Sequence, residues 1–358
     1  MRPVLSCFVA FFAAGLLAGC DPFASPDSMM QEYLERTARV LDGEAVRTPV
    51  PTLPQLPPRR ERLRPMPELD VSLLDFLSLY GCELQHVVGE RNSILGRVMH
   101  RSGLFAYELR FVQSARECLE EIDSERLATR IAEAVEQKRE ALPDALWNAI
   151  WGVSEIEDFL TRSKGFLPVR HDRDLAAVLS NDLRVLTEAA AKLEREELDV
   201  DVQRFDAIYQ RWQAYAMAGQ LLRSAAMLTA RLDDTSRLIE ARLGDRPVCV
   251  RPDVRPRTAE SMQGMFMTVY VAQVQAYLAD VQRARRDLVE PLLALARLGG
   301  EERTPAMAAY ARAVLRDDLP GSLWHEFDRA VARHARAWQE LLGQCGMRPG
   351  PPLEPSAG

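Results

Sequence analysis

The chain has 358 residues, 47% hydrophobic and 27% charged, which is enough apolar mass for a sizeable core in one large domain or two small ones. Its formal net charge of −7 argues against a nucleic-acid partner. Beyond residue 20 there is no run of about 18 apolar residues, so no further membrane span is expected.

The N-terminus carries the most specific signal. Arg2 is a short positive segment, Val4 to Leu17 is apolar, and Leu17-Ala18-Gly19-Cys20 follows. A plain secretory signal ends in small residues without a cysteine. A cysteine placed here resembles the lipobox of bacterial lipoproteins. That resemblance implies a signal peptide over residues 1–19, diacylglycerol on the Cys20 thiol, and acylation of the amino group freed by cleavage. Several acyl chains hold a protein on a membrane where one does so only weakly. The expected location is a periplasm-facing lipoprotein of the bacterial cell envelope, inner or outer membrane left open. Cys7 would leave with the signal, so Cys82, Cys118, Cys249 and Cys345 remain in an oxidising space. Two disulfides are expected, with three possible connectivities.

Residues 27–42 read as a short helix capped by Asp27 or Ser28, within an N-terminal region of 20–45. Residues 46–69 hold seven prolines between Pro49 and Pro67. Proline removes backbone donors and pushes the preceding residue out of the helical region, so this segment is expected to be extended, a stiff spacer between anchor and body. The basic run Arg59-Arg60-Glu61-Arg62-Leu63-Arg64 is expected to be solvated or to touch anionic lipid.

Residues 70–347 have a helical period almost throughout, and residues 348–358 read as a disordered tail. Two helices over about 70–99 and 103–122 come first. An amphipathic helix over 124–142 and a shorter Trp-rich piece, which Gly152 interrupts, follow. Next come a helix at 173–196, a stripe over 203–243 that would be roughly 60 Å long if unbroken, and a stripe over 258–298 that Pro291 should kink or break. The last helix is placed at about 321–344. With no alternating strand pattern, the fold class is all-α: an elongated multi-helix bundle with a stapled hairpin and two long helices.

Cys82 and Cys118 lie on consecutive helices. If they are bonded, antiparallel helices align residues whose numbers sum to about 200, and the turn falls at His100-Arg101-Ser102-Gly103, a plausible break. This register places Glu90 opposite Arg110. It also brings Arg91 and Glu108, both on the apolar stripes, into a partly buried ion pair. By elimination Cys249 pairs with Cys345.

Glu83 and His86 form an E-x-x-H spacing, a possible ligand site. Di-iron bundles use this spacing twice with two further glutamates, and no other histidine here has a glutamate three residues before it. His325 and His334 do not make H-E-x-x-H, and Trp324 and Trp338 read as core. There is no G-x-S-x-G, S-x-x-K, P-loop or EF-hand, so no catalytic residue, metal or cofactor is assigned. Asp199 and Asp201 read as an acidic loop.

The lipobox, YGCELQHVVGERNSILGRV and YELRFVQSAREC together are similar to an uncharacterised proteobacterial lipoprotein family, domain of unknown function 3080. The resemblance implies an envelope lipoprotein without an assigned activity, and it transfers no catalytic residues. The expected role is a non-enzymatic module that engages an envelope protein partner or supports the envelope. The alternative is a periplasmic helical protein that binds a small molecule or metal.

Overall fold

Ser25 starts the first helix. Its Oγ accepts from Ser28 N–H at 3.1 Å and its own N–H donates to Ser28 Oγ at 3.3 Å, a reciprocal cap one turn long. The computed structural model describes residues 25–67, 81–251, 256–300 and 304–347. The signal peptide, Cys20, the first part of the helix expected from residue 70, and the 348–358 tail lie outside the described residues.

The helices run α1 (Pro26–Val40), a single turn α2 (Arg59–Arg62), α3 (Glu83–Asn92), a turn α4 (Ile94–Arg97), α5 (Arg101–Cys118), α6 (Glu125–Trp151) and α7 (Glu155–Leu160). Then come α8 (Arg173–Glu194), α9 (Arg204–Ala214) and α10 (Met217–Asp245). A composite helix follows: α11 (Arg257–Met265), a π-helical stretch (Phe266–Gln275), α12 (Ala276–Ala284), a second π stretch (Arg285–Val289) and α13 (Glu290–Ala296). The last two are α14 (Pro305–Val314) and α15 (Leu323–Gly343). No strand occurs among the described residues, and the fold is an all-α helical bundle.

Three differences from the expected elements have physical causes. Residues 125–151 form one helix, with Pro143 inside it. An interior proline typically costs about 3 kcal/mol. Here Leu142, Leu146, Trp147, Ile150 and Trp151 are all buried on the same helix, at about 1.5–3 kcal/mol each, which outweighs that cost. The 203–243 stripe breaks at Tyr215, so α9 and α10 are separate. Gly219, in the first turn of α10, lies against the end of α7 so closely that a Cβ there would sit 2.0 Å from Thr161 O. Pro291 does not end the 258–298 stripe: it follows closely on the second π stretch, whose wider register accommodates its missing N–H. Helix α14 was not anticipated.

The larger core gathers on α10. Its contact with α15 is the most extensive between helices among the described residues, and α1 packs on α10 and on the composite helix. Trp324, Phe327, Ala330, His334, Trp338 and Leu341 form the buried face of α15. The N-terminal helix is therefore part of the main core, not of a separate region: Met29, Met30 and Tyr33 are fully buried in it. A smaller core holds the hairpin of α3 and α5 against the first half of α6. Both expected disulfides are present, with Cα–Cα distances of 5.6 Å for Cys82–Cys118 and 5.2 Å for Cys249–Cys345. The first staples the hairpin in the antiparallel register, and Arg110 Nη1 donates to Glu90 Oε2 at 2.6 Å as that register requires.

The proline-rich segment is extended except for the single turn α2, but it is no free spacer: it is a strap laid over α6. Arg62 and Arg64, expected to be solvated or to touch anionic lipid, are 1% and 3% exposed. The Arg62 Nε donates to Trp151 O at 2.7 Å and its Nη1 to Pro57 O at 2.5 Å, and an ion pair joins it to Glu157. Asn148 brackets Arg64 like a paired strand: its Oδ1 accepts from Arg64 N–H and its Nδ2 donates to Arg64 O, both at 2.9 Å. Trp147 Nε1 donates to Arg62 O at 2.6 Å. An extended chain without helical hydrogen bonds must satisfy its backbone elsewhere when buried, and α6 supplies those partners.

One polar chain crosses the main core. Trp338 Nε1–H donates to Tyr33 Oη at 2.6 Å, and Tyr33 Oη–H donates to His334 Nε2 at 2.7 Å. Ser236 gives its hydroxyl proton to Leu232 O, so its Oγ receives His334 Nδ1–H at 3.1 Å. This assigns the Nδ1–H tautomer, neutral and fully satisfied. Burial, opposed by the Leu232 carbonyl and the Asp233 charge, pushes the His334 imidazole down to about 3. The folded state thus binds fewer protons than the unfolded one between about pH 3 and 6.5, so this residue's contribution falls as pH falls through that window. Denaturant unfolding of the wild type and of His334→Asn should differ most at pH 7. The gap should narrow by roughly 2–3 kcal/mol at pH 4, at no more than about 1.4 kcal/mol per pH unit. A gap independent of pH would contradict a neutral buried histidine.

Candidate functional site

The stretch Gly89-Glu90-Arg91-Asn92-Ser93 ends α3 and turns into α4. Arg91 was expected to meet Glu108 and does not. Its Nη1 donates to Gly96 O at 2.8 Å and so folds the α4 turn back on α3. Glu108 is buried and paired with Lys138 of α6, Nζ to Oε2 at 2.6 Å. A two-helix register cannot reveal this partner, because α6 is the third wall of the hairpin's core. The signal was present: Lys138 stands at helical spacing among Ile131, Val135 and Leu142, on the face that α6 buries. The rings of Tyr107 and Phe111 lie 5.0 Å from Nζ, which softens the desolvation of the ammonium. Burial and then the Glu108 charge hold the Tyr107 phenol well above its usual range, so it stays protonated.

The E-x-x-H pair, a possible ligand site by its spacing, lies on the surface of α3. Glu83 and His86 are exposed, and Glu83 lies 3.4 Å from Arg110. Among the described residues no group of three or more His, Cys, Asp or Glu side chains could hold a metal.

A cavity of about 460 Å³ opens instead where the smaller core meets the larger one. The strap supplies Arg64, Met66 and Pro67. Helices α3 and α4 supply Arg91 and Arg97, the first turn of α5 supplies Arg101 and Leu104, and α6 supplies Lys138 and Asn148. Val88, Leu104 and Phe105 add apolar wall. The charges are one-sided, five cations lining the cavity with Glu108 as the one carboxylate among the described lining residues.

Two of the five cations are already matched. Arg64 Nη1 donates to Asp144 Oδ1 at 3.1 Å and to Leu298 O at 2.7 Å, and Nη2 donates to Gly300 O at 3.0 Å. Its guanidinium also lies 3.7 Å from the centre of the Trp147 ring. Lys138 has Glu108. Arg91, Arg97 and Arg101 make no ion pair among the described residues. Burial first, then the Arg59 charge, push the Arg101 guanidinium down from its usual range. Helix α5 starts at this wall with His100 as its N-cap and no side chain capping its first amides, so its positive end adds to the field. An anion entering here would meet three guanidiniums that form no ion pair among the described residues, two of them partly buried, where a charge-assisted hydrogen bond is stronger than in open water.

The separate roles of Arg91 and Glu108 can be measured. Breaking one side of a buried pair typically costs about 3–5 kcal/mol, so Glu108→Gln should destabilise the fold by that order. Arg91→Gln loses one hydrogen bond to a carbonyl and should cost about 1 kcal/mol. Equal losses in denaturant unfolding would restore the Arg91–Glu108 pair.

Residues 30–349 match the family described as Protein of unknown function (DUF3080). No curated protein and no solved structure matches the chain. The matched span contains both disulfides and every residue of the cationic cavity. The chain belongs to this family of unknown function, DUF3080.

Proposed function

We propose that this protein is a non-enzymatic lipoprotein of the bacterial envelope, anchored through lipidated Cys20, whose helical body binds an anionic ligand in the cationic cavity. The anchor rests on the sequence Leu17-Ala18-Gly19-Cys20 after an apolar segment. The two disulfides fit an oxidising compartment. The observation that carries the binding role is the excess of charge: Arg91, Arg97 and Arg101 line one cavity, and among the described residues no carboxylate pairs with them. Uncompensated positive charge in a partly buried site costs stability, and a ligand anion removes that cost. The apolar wall suits a ligand with a carbon portion attached to a phosphate or carboxylate head. The cavity's one carboxylate, Glu108, is committed to Lys138, which leaves it poorly placed as a general base and favours binding over chemistry.

Two experiments test this reading. Glycerol 3-phosphate, titrated at constant ionic strength, should raise the melting temperature beyond any effect of matched sodium chloride. Arg101→Gln should weaken that binding by about tenfold or more, the worth of one charge-assisted hydrogen bond. Identical melting curves in glycerol 3-phosphate and chloride would contradict the anion site. Separately, Cys20→Ser should move the protein out of the membrane fraction and remove the acyl mass from the mature chain. Unchanged fractionation and mass would contradict the anchor.

A further inference from the structure

A second feature borders the cavity. Ile94, Leu95 and Val98 are 85%, 79% and 76% exposed, and they flank Arg97, which lines it. Single exposed apolar residues are ordinary on a soluble surface, whereas three large ones on one turn mark a contact. The turn is built to hold them out. Ser93 Oγ accepts from Gly96 N–H at 3.0 Å and donates to Glu90 O at 2.7 Å, and Arg91 closes the turn on Gly96 O at 2.8 Å. Gly96 sits so close to the end of α3 that a Cβ there would lie 2.2 Å from Glu90 O. The polar residues around this turn fix its shape, and its apolar residues are left facing water.

We infer that this turn docks on a membrane containing anionic phospholipid: Ile94, Leu95 and Val98 enter the boundary between headgroups and acyl chains, and Arg97 and Arg101 take a headgroup phosphate at the mouth of the cavity. The inference rests on the cavity being an anion site. Charge favours a lipid surface as the occupant. Arg91, Arg97 and Arg101 line the cavity beside the apolar prong, among the described residues no carboxylate pairs with them, and Glu90 on the same stretch is taken by Arg110. Cations beside a short apolar projection fit the two layers of an anionic leaflet, phosphate outside and hydrocarbon within. The apolar wall of Val88, Leu104 and Phe105 can receive the glycerol and first carbons of a lipid whose phosphate lies at the arginines.

The test uses the full-length chain reconstituted through its anchor into vesicles. A Leu95→Cys substitution carries an environment-sensitive fluorophore, and the lipid carries a quencher. On vesicles of phosphatidylglycerol and phosphatidylethanolamine the label should be quenched, and on phosphatidylcholine vesicles it should stay in water. Arg97→Gln and Arg101→Gln should each lower the docked population about fivefold. Ile94→Ser with Val98→Ser should release the label yet leave glycerol 3-phosphate binding intact. These side chains are largely exposed, and matching circular dichroism spectra show that the variants fold. A label in water on anionic vesicles, with glycerol 3-phosphate still bound, overturns the docking and leaves the anion site standing. A label buried only after a protein extract is added assigns the turn to a protein partner and overturns it too. Loss of glycerol 3-phosphate binding by the wild type removes the anion site itself.

Discussion

The contact on which the rest of this structure depends is an extended chain laid across a helix. Arg62, at the end of the single turn α2, and Arg64 come from a segment that proline otherwise keeps extended, and both are buried. Their backbone groups are met by Trp147 and Asn148, and their guanidiniums by Trp151 O, Pro57 O, Asp144, Leu298 O and Gly300 O. Each of these hydrogen bonds is worth only about 0.5–1.5 kcal/mol net. Their larger significance is the cost of losing them, since an unpaired buried guanidinium is far more expensive than its contact is favourable. The strap thereby joins α6 to the end of the composite helix.

The cavity follows from that geometry. The strap forms one wall, the stapled hairpin a second and α6 the third, so the pocket sits between two apolar cores, neither of which fills it. Its charge follows as well. Asp144 and Glu108 neutralise Arg64 and Lys138, the two most deeply placed cations, and hold the walls together. The three less buried arginines have no such match among the described residues. Structural and ligand-facing charges are thus separated by depth: matched inside, unmatched at the rim.

How much of this was legible in the sequence depended on the range of each interaction. Helical period identified most of the long helices, because it is set by local geometry and burial of one face. The Cys82–Cys118 register placed Glu90 against Arg110 correctly, because two stapled antiparallel helices leave little freedom. Arg91 was misassigned to Glu108 because that reasoning had only two helices, and the third, α6, brought Lys138. The break at Tyr215 and the continuity through Pro143 were hidden for the same reason. Each reflects a tertiary contact, of Gly219 on Thr161 or of the tryptophans on their core, that outweighs local propensity. The cavity was the least legible feature, since its cations come from three separated stretches, at Arg64, at Arg91 to Arg101 and at Lys138, and no short motif records their meeting. Proline content described the strap's conformation well but not its burial, because burial depends on arginines that composition alone marks as solvated.

The most direct test is amide hydrogen exchange at Arg64, whose N–H donates to Asn148 Oδ1. If the strap is part of the fold, this amide should exchange slower than an unstructured chain by a factor on the order of 10³ or more, in step with the amides of α6. Exchange at the unstructured rate would mean that residues 57–67 are the free spacer their prolines suggest. The cationic cavity would then lack one of its walls.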